Sequence, residues 1–181
     1  GSSFMLETGF GSAVREIKNV TDLPVVIFPG SFAQITPDAD AVLFTSLVSG
    51  RNPEYLIGDQ VRGAPLVRQF GLEAIPTAYL LIESGRTTPV QFVSGTTPIP
   101  ADKSDIACAH ALAAQYLGMQ WIYLEAGSGA ERPVPVGLIA DVSSYVDAPL
   151  IVGGGLRRPE DLAARIRAGA SLTVIGSTME D

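Results

Sequence analysis

Cysteine is nearly absent from this 181-residue chain, with Cys108 standing alone. A single thiol excludes an internal disulfide and suits a reducing cytoplasm. Nothing around Cys108 in the sequence signals thiolate activation. Histidine is equally scarce: His110 is the one copy, set in the Ala-rich stretch Ala107–Ala114 with no partner at ligand spacing. It reads as a packed or interface histidine. No His/Cys cluster suggests zinc, and neither a GxGxxG nor a P-loop pattern occurs. Basic residues are in deficit, 12 Lys and Arg against 19 Asp and Glu, for a net charge of −7 without a long run of either sign. A nucleic-acid groove needs a basic face to release counterions, so this balance argues against that partner. No apolar stretch approaches the roughly 20 residues of a membrane span. No transmembrane segment and no secretory signal are expected.

What is present is apolar. Hydrophobic residues make up 46% of the chain and charged residues 17%, which favours one compact α/β domain. Six β-branched, continuously apolar runs read as buried parallel strands: Val25–Phe28, Ala41–Phe44, Ala74–Ile82, Trp121–Leu124, Leu150–Val152 and Leu172–Ile175. Helical patterns separate most of them. One starts at Asn52-Pro53-Glu54, with Asn52 as cap and Pro53 in the first turn, and is expected to break at Gly63 and Pro65 before Gly71. Others span Ser104–Leu117, Val136–Tyr145, and Pro159 to just before Gly169. The segments Asp22–Ile27 and Asp147–Val152 echo each other, each placing a proline at the start of a strand. Repeated βα units favour a closed barrel or a doubly wound sheet. Polar or glycine residues at every strand terminus favour the barrel. A full barrel has eight strands, so the expectation is a modified TIM (β/α)8 barrel whose first two strands are missing from the chain. The non-periodic stretch Glu83–Lys103 is either a binding loop or a solvated excursion.

Three glycine-rich stretches follow late strands: Tyr123-Leu124-Glu125-Ala126-Gly127-Ser128-Gly129, Gly153-Gly154-Gly155, and Gly176-Ser177. Glycine at a strand's end lets backbone N–H groups approach a ligand and form an anion cradle, as in many barrels that hold a phosphate. Close approach of a ligand accounts for the entropic cost of three consecutive glycines. Arg157 and Arg158 follow, and either add charge there or open a solvated helix. Glu125, at a strand's C-terminal end, suits a general base, or else caps the following loop. Tyr123, two residues earlier, faces the same side and either hydrogen-bonds a substrate or fills the barrel. Together these point to an enzyme acting on a phosphorylated small molecule. Trp121 reads as a core or subunit-contact residue.

Several segments resemble one family in chain order: Leu23–Ser31, Ser49–Pro53, Ile75–Tyr79, Thr97-Pro98-Ile99-Pro100 with Asp102-Lys103, Tyr123–Gly129 and Ile151–Gly155. The family is geranylgeranylglyceryl phosphate synthase, and the Ser-Gly-Arg-Asn-Pro-Glu motif is similar to its subgroup shared by archaea and some bacteria. The resemblance implies a modified barrel that joins geranylgeranyl diphosphate, or another prenyl diphosphate, to sn-glycerol 1-phosphate in ether-lipid biosynthesis. By that resemblance, Tyr123–Gly129, Gly153, Gly154, Gly176 and Ser177 hold the glycerol phosphate, and Glu125 assists deprotonation of its 3-hydroxyl. Tyr79 borders the prenyl channel, and Mg2+ accompanies the diphosphate. A cytoplasmic homo-oligomer, dimer or hexamer, is implied too. Gly1-Ser2-Ser3 reads either as a vector remnant or as the family's second-strand turn, which makes Ser3 the metal-associated residue. No segment matches the family's first strand with its metal aspartate. Three other readings stay open: a heptaprenyl version, a phosphate-binding barrel isomerase or aldolase, and a non-catalytic binding module.

Overall fold

The computed structural model describes residues 9–176. All six expected strands are present among them: β1 (Val26–Ile27), β2 (Ala41–Ser46), β3 (Glu73–Leu81), β4 (Trp121–Glu125), β5 (Leu150–Gly153) and β6 (Ala170–Val174). They follow one another in the sheet in chain order, and the recorded pairs are parallel. Parallel neighbours require a crossover between strands, and helices supply most of these. The result is an α/β fold of the TIM-barrel kind. The chain divides into two compact units, Gly1–Ser46 with Pro53–Pro76, and Leu47–Asn52 with Thr77–Asp181.

In the first unit, helix α1 (Phe10–Val20) precedes β1, an element the strand-and-glycine pattern did not announce. Phe10, Val14 and Ile17 fall at helical spacing. Val14 is buried with Ile27, Val42, Val67 and Leu72. Arg15 pairs with Asp38 and Lys18 with Asp40, each at 2.6 Å, and these partners hold both carboxyls below the usual range. A π-helical turn (Glu54–Gly58) leads into α2 (Asp59–Phe70). The expected break at Gly63 and Pro65 does not occur. Pro65 removes one backbone donor, but it and Val61, four residues earlier, lie on the exposed side, where water can reach the freed carbonyl. Gly63 faces inward, with Ile35 Cδ1 only 3.1 Å from where a β-carbon would stand, so its smallness serves packing. The helix stops at Gly71, whose φ of 68° closes it.

The second unit carries the rest of β3, then α3 (Pro89–Ser94), α4 (Ser104–Tyr116), α5 (Val136–Tyr145) and α6 (Pro159–Arg167) between the strands β3 to β6. Strand alternation sorts the residues onto two faces. Ala78 and Leu80 of β3, Ile122 and Leu124 of β4, and Leu150 and Val152 of β5 join Ala107, Ala111 and Ala114 of α4 and Leu138, Ile139 and Val142 of α5 in one core. Burying each large aliphatic side chain contributes about 1.5–3 kcal/mol, and the alanines let α4 approach closely. The alternate residues stand in register on the opposite face: Tyr79 beside Tyr123 beside Ile151, and Leu81 beside Glu125 beside Gly153.

Asn52 Nδ2 donates to the Ser94 carbonyl at 3.0 Å. The stretch Glu83–Lys103 is not a solvated excursion. It holds α3, it bridges Ile82 with Ile99, and Ser84, Thr88, Ser94, Thr96 and Ile99 are buried. Asp161 accepts the Arg158 N–H at 3.2 Å, and the Arg158 carbonyl accepts the Asp161 N–H at 2.9 Å, which closes the first turn of α6. No helix among the described residues is long and apolar enough to cross a membrane.

Candidate active site

Glu125 ends β4 with its side chain 6% exposed. Its Oε1 accepts the Gly127 N–H at 2.6 Å, and the Tyr123 hydroxyl stands beside the same carboxylate, both bordering the space a Gly153 β-carbon would take. Burial raises the Glu125 carboxyl above its ordinary 4.5, while the neighbouring Tyr123 hydroxyl and the Gly127 N–H pull it back down. Burial, with the Glu125 charge adding to it, pushes both Tyr123 and Tyr79 far upward, so both phenols stay protonated. The Tyr79 and Tyr123 rings lie 5.4 Å apart at 53°. A buried carboxylate of raised proton affinity, flanked by two phenols, can take a proton from a bound hydroxyl.

The glycines around this carboxylate have a steric explanation. A β-carbon on Gly153 would meet the Tyr123 hydroxyl at 2.5 Å and Glu125 Oε2 at 2.7 Å. One on Gly154 would meet Glu125 Oε1 at 2.5 Å and the Gly127 nitrogen at 2.7 Å, and its φ of 82° disfavours side chains in any case. Gly155 gives way to Pro133 and Ala130. The close approach at all three is therefore by the protein's own groups: the turn after β5 is kept bare so that Glu125, Tyr123 and the Gly127 peptide can fill it.

The structure gathers Tyr79, Tyr123, Glu125, Gly127, Gly153 and Gly154 in one place. Leu124 and Ala126 point the other way, into the helix-side core, and only their backbone is available to a ligand. Ser128 and Gly129 lie exposed on the following loop. Gly176 is exposed just past β6, with nothing within 4 Å of its missing β-carbon. Ser177 and Ser3 lie outside the described residues. Arg158 is engaged with Asp161 at its helix start. His110 faces Arg51, its Nε2 3.4 Å from Nη2, and its Nδ1 lies 2.8 Å from the Ile106 carbonyl. Cys108 is buried and its thiol is pushed up by burial, an unreactive state. Trp121 is half-buried. Among the described residues no group of three or more His, Cys, Asp and Glu side chains could hold a metal ion. Thr88 is buried against Gly127, and no sequence signal marks it, because a lone threonine in a proline-rich stretch carries no motif.

A buried acid at the C-terminal end of a parallel strand, under a bare glycine turn, places the molecule among the TIM-type barrel enzymes that carry their chemistry at strand ends. The PcrB family model matches residues 2–181. A geranylgeranylglyceryl phosphate synthase of Chitinophaga pinensis is 46% identical over 99% of the chain and 71% of its own length. One from Thermococcus kodakarensis is 50% identical over 93% of the chain and 66% of its own length. The crystal structure of (S)-3-O-geranylgeranylglyceryl phosphate synthase from Thermoplasma acidophilum, in complex with its substrate sn-glycerol-1-phosphate, superposes with a TM-score of 0.93 at 41% identity, covering 99% of this chain and 72% of that one. The chain belongs to the PcrB family, and with these relatives it is a prenyltransferase.

Proposed function

We propose that this protein transfers a geranylgeranyl group from its diphosphate to the 3-hydroxyl of sn-glycerol 1-phosphate, a step of ether-lipid biosynthesis. The names of its relatives and the ligand of the Thermoplasma structure support both the acceptor and the product class. The observation that carries the chemistry is Glu125, buried at the end of β4 with its Oε1 held by the Gly127 N–H. The acceptor oxygen attacks the allylic carbon of the prenyl chain, and the new C–O bond forms as the carbon–diphosphate bond breaks. Diphosphate leaves with the electron pair, and the hydroxyl proton passes to Glu125. Tyr123 fixes the carboxylate's orientation, and its bulk with Tyr79 keeps water away. The exposed backbone of Ser128, Gly129 and Gly176, with Ser177 beyond, would meet the phosphate.

Mg2+ would neutralise charge on the leaving diphosphate. Dependence on the ion is read from loss of turnover with a chelator and its return on adding Mg2+. The lone, buried Cys108 supports a cytoplasmic setting. Assembly into a homo-oligomer is read from light scattering on the eluted protein. The deciding experiment incubates the protein with labelled sn-glycerol 1-phosphate, Mg2+ and prenyl diphosphates of several lengths, C20 to C35. An extractable labelled ether with the C20 donor is expected. A preference for C35 would point to the heptaprenyl version, and no ether product at any length sinks the proposal.

A further inference from the structure

We propose that Thr88 is a positioning residue of this same site, a wedge whose shape holds the Gly127 peptide against Glu125. The proposal rests on the reading of Glu125 as the proton acceptor. Thr88 is the residue just before α3, with φ −100° and ψ 160°, where a threonine hydroxyl ordinarily accepts a first-turn N–H. It makes no such bond. The side chain is instead turned inward and 3% exposed, with its hydroxyl unpartnered. Its Cβ, Oγ1 and Cγ2 all lie 2.5–2.6 Å from the place a β-carbon on Gly127 would occupy. The whole threonine therefore rests on the Gly127 Cα.

On the other side of the same residue, Gly154 comes so close that its own β-carbon would stand 2.7 Å from the Gly127 nitrogen and 2.9 Å from its oxygen. Gly127 is gripped between the two. Its backbone is at φ 96°, and its N–H is the donor to Glu125 at 2.6 Å. A sideways shift of Gly127 would carry that donor off the carboxylate. Thr88 is itself anchored: Phe92 N–H donates to its carbonyl at 3.0 Å, and the far end of α3 is tied through Ser94 to Asn52. Because the hydroxyl has no partner, the shape of the side chain is what matters.

The test follows the Glu125 carboxyl by 13C NMR titration in the labelled, full chain, alongside separate KM values for glycerol 1-phosphate and prenyl diphosphate. The groups facing Glu125 are Tyr123 on its own strand, Tyr79 on β3 and the Gly127 N–H, so loss of one donor reads out directly. Thr88→Ala is expected to raise the Glu125 midpoint by roughly half a unit or more, and to raise KM for glycerol 1-phosphate about tenfold while sparing that for the diphosphate. Thr88→Val, which keeps the shape, is expected to restore the wild-type midpoint. If Thr88→Ala does not fold, Thr88→Ser, lacking only the methyl, carries the same expectation in weaker form. An unchanged midpoint in the alanine and serine variants overturns the proposal, as does a valine variant shifted as far as alanine. The titration needs no turnover, so absence of prenyl transfer would strike the proposed function and leave the role of Thr88 to be decided by the midpoint.

Discussion

Gly153→Ala probes the carboxylate site by adding one methyl group to a residue whose backbone tolerates it, since Gly153 lacks the positive φ of its neighbours Gly154 and Gly155. The new carbon would stand 2.5 Å from the Tyr123 hydroxyl, 2.7 Å from Glu125 Oε2 and 3.0 Å from Tyr123 Cε2. Against an ordinary contact of about 3.4 Å, the first two fall short by roughly 0.9 and 0.7 Å. Tyr123 is 1% exposed and cannot swing away, so the strain falls on the strand and on the carboxylate. Overpacking of this kind costs about 1–3 kcal/mol, a melting-point drop of roughly 2–12 °C for a chain this size. Displacing a reacting group by close to an ångström costs on the order of 100-fold in rate. The measurements are thermal unfolding and kcat/KM for prenyl transfer. Tyr123→Phe removes the nearest atom, so in its background the alanine should cost less, by about 0.5 kcal/mol or more of coupling. An alanine variant with wild-type melting and turnover would refute the claim that Gly153 is bare to make room for Tyr123 and Glu125.

Gly176→Ala meets open space and an ordinary backbone, so stability should move by no more than about 0.5 kcal/mol. If the residue belongs to the phosphate cradle, KM for glycerol 1-phosphate rises, and an unchanged KM removes it from the site. Glu125→Gln should lower turnover by about 100- to 10,000-fold. It should also change the pH dependence of stability. A carboxyl raised above 4.5 in the folded state favours folding most below 4.5, and that contribution is lost as pH rises through the native value. The melting point of Glu125→Gln relative to wild type should therefore climb between pH 4 and pH 7, and a flat difference contradicts the raised affinity. Leu124→Ala should cost about 2–5 kcal/mol in urea unfolding, since Leu124 is fully buried on the helix-side face. A selective rise in KM for glycerol 1-phosphate without that loss would place its side chain in the site instead.

Much of the fold was legible because apolar runs of β-branched residues can only be buried strands, and all six lie where the runs lie, within two residues at each end. Helices α4, α5 and α6 were equally plain, bounded by Gly118, the Pro135 neighbourhood and Pro159. Local rules failed where the tertiary setting decided. Pro65 should break a helix, yet exposure on the solvent side lets α2 continue. A stretch rich in prolines and threonines read equally as a binding loop or a solvated excursion, and Thr88, Thr96 and Ile99 are buried in it. Alternation on β4 placed Tyr123 and Glu125 on one face, while the motif Tyr123–Gly129 carried Leu124 into the expected site although its side chain lies in the helix-side core.

The order of residues alone thus determined a parallel α/β chain with an acid, a phenol and glycine turns at successive strand ends, because strand periodicity and backbone freedom are local properties. It also carried the family resemblance, written in the Tyr123–Gly129 motif. Only the tertiary structure decided what the glycines are for. At Gly127, Gly153 and Gly154 the space of the missing β-carbon is filled by Glu125, Tyr123, Gly127 and Thr88, groups separated by as much as 39 residues of chain, and no local rule can report who occupies the space beside a residue that lacks a side chain.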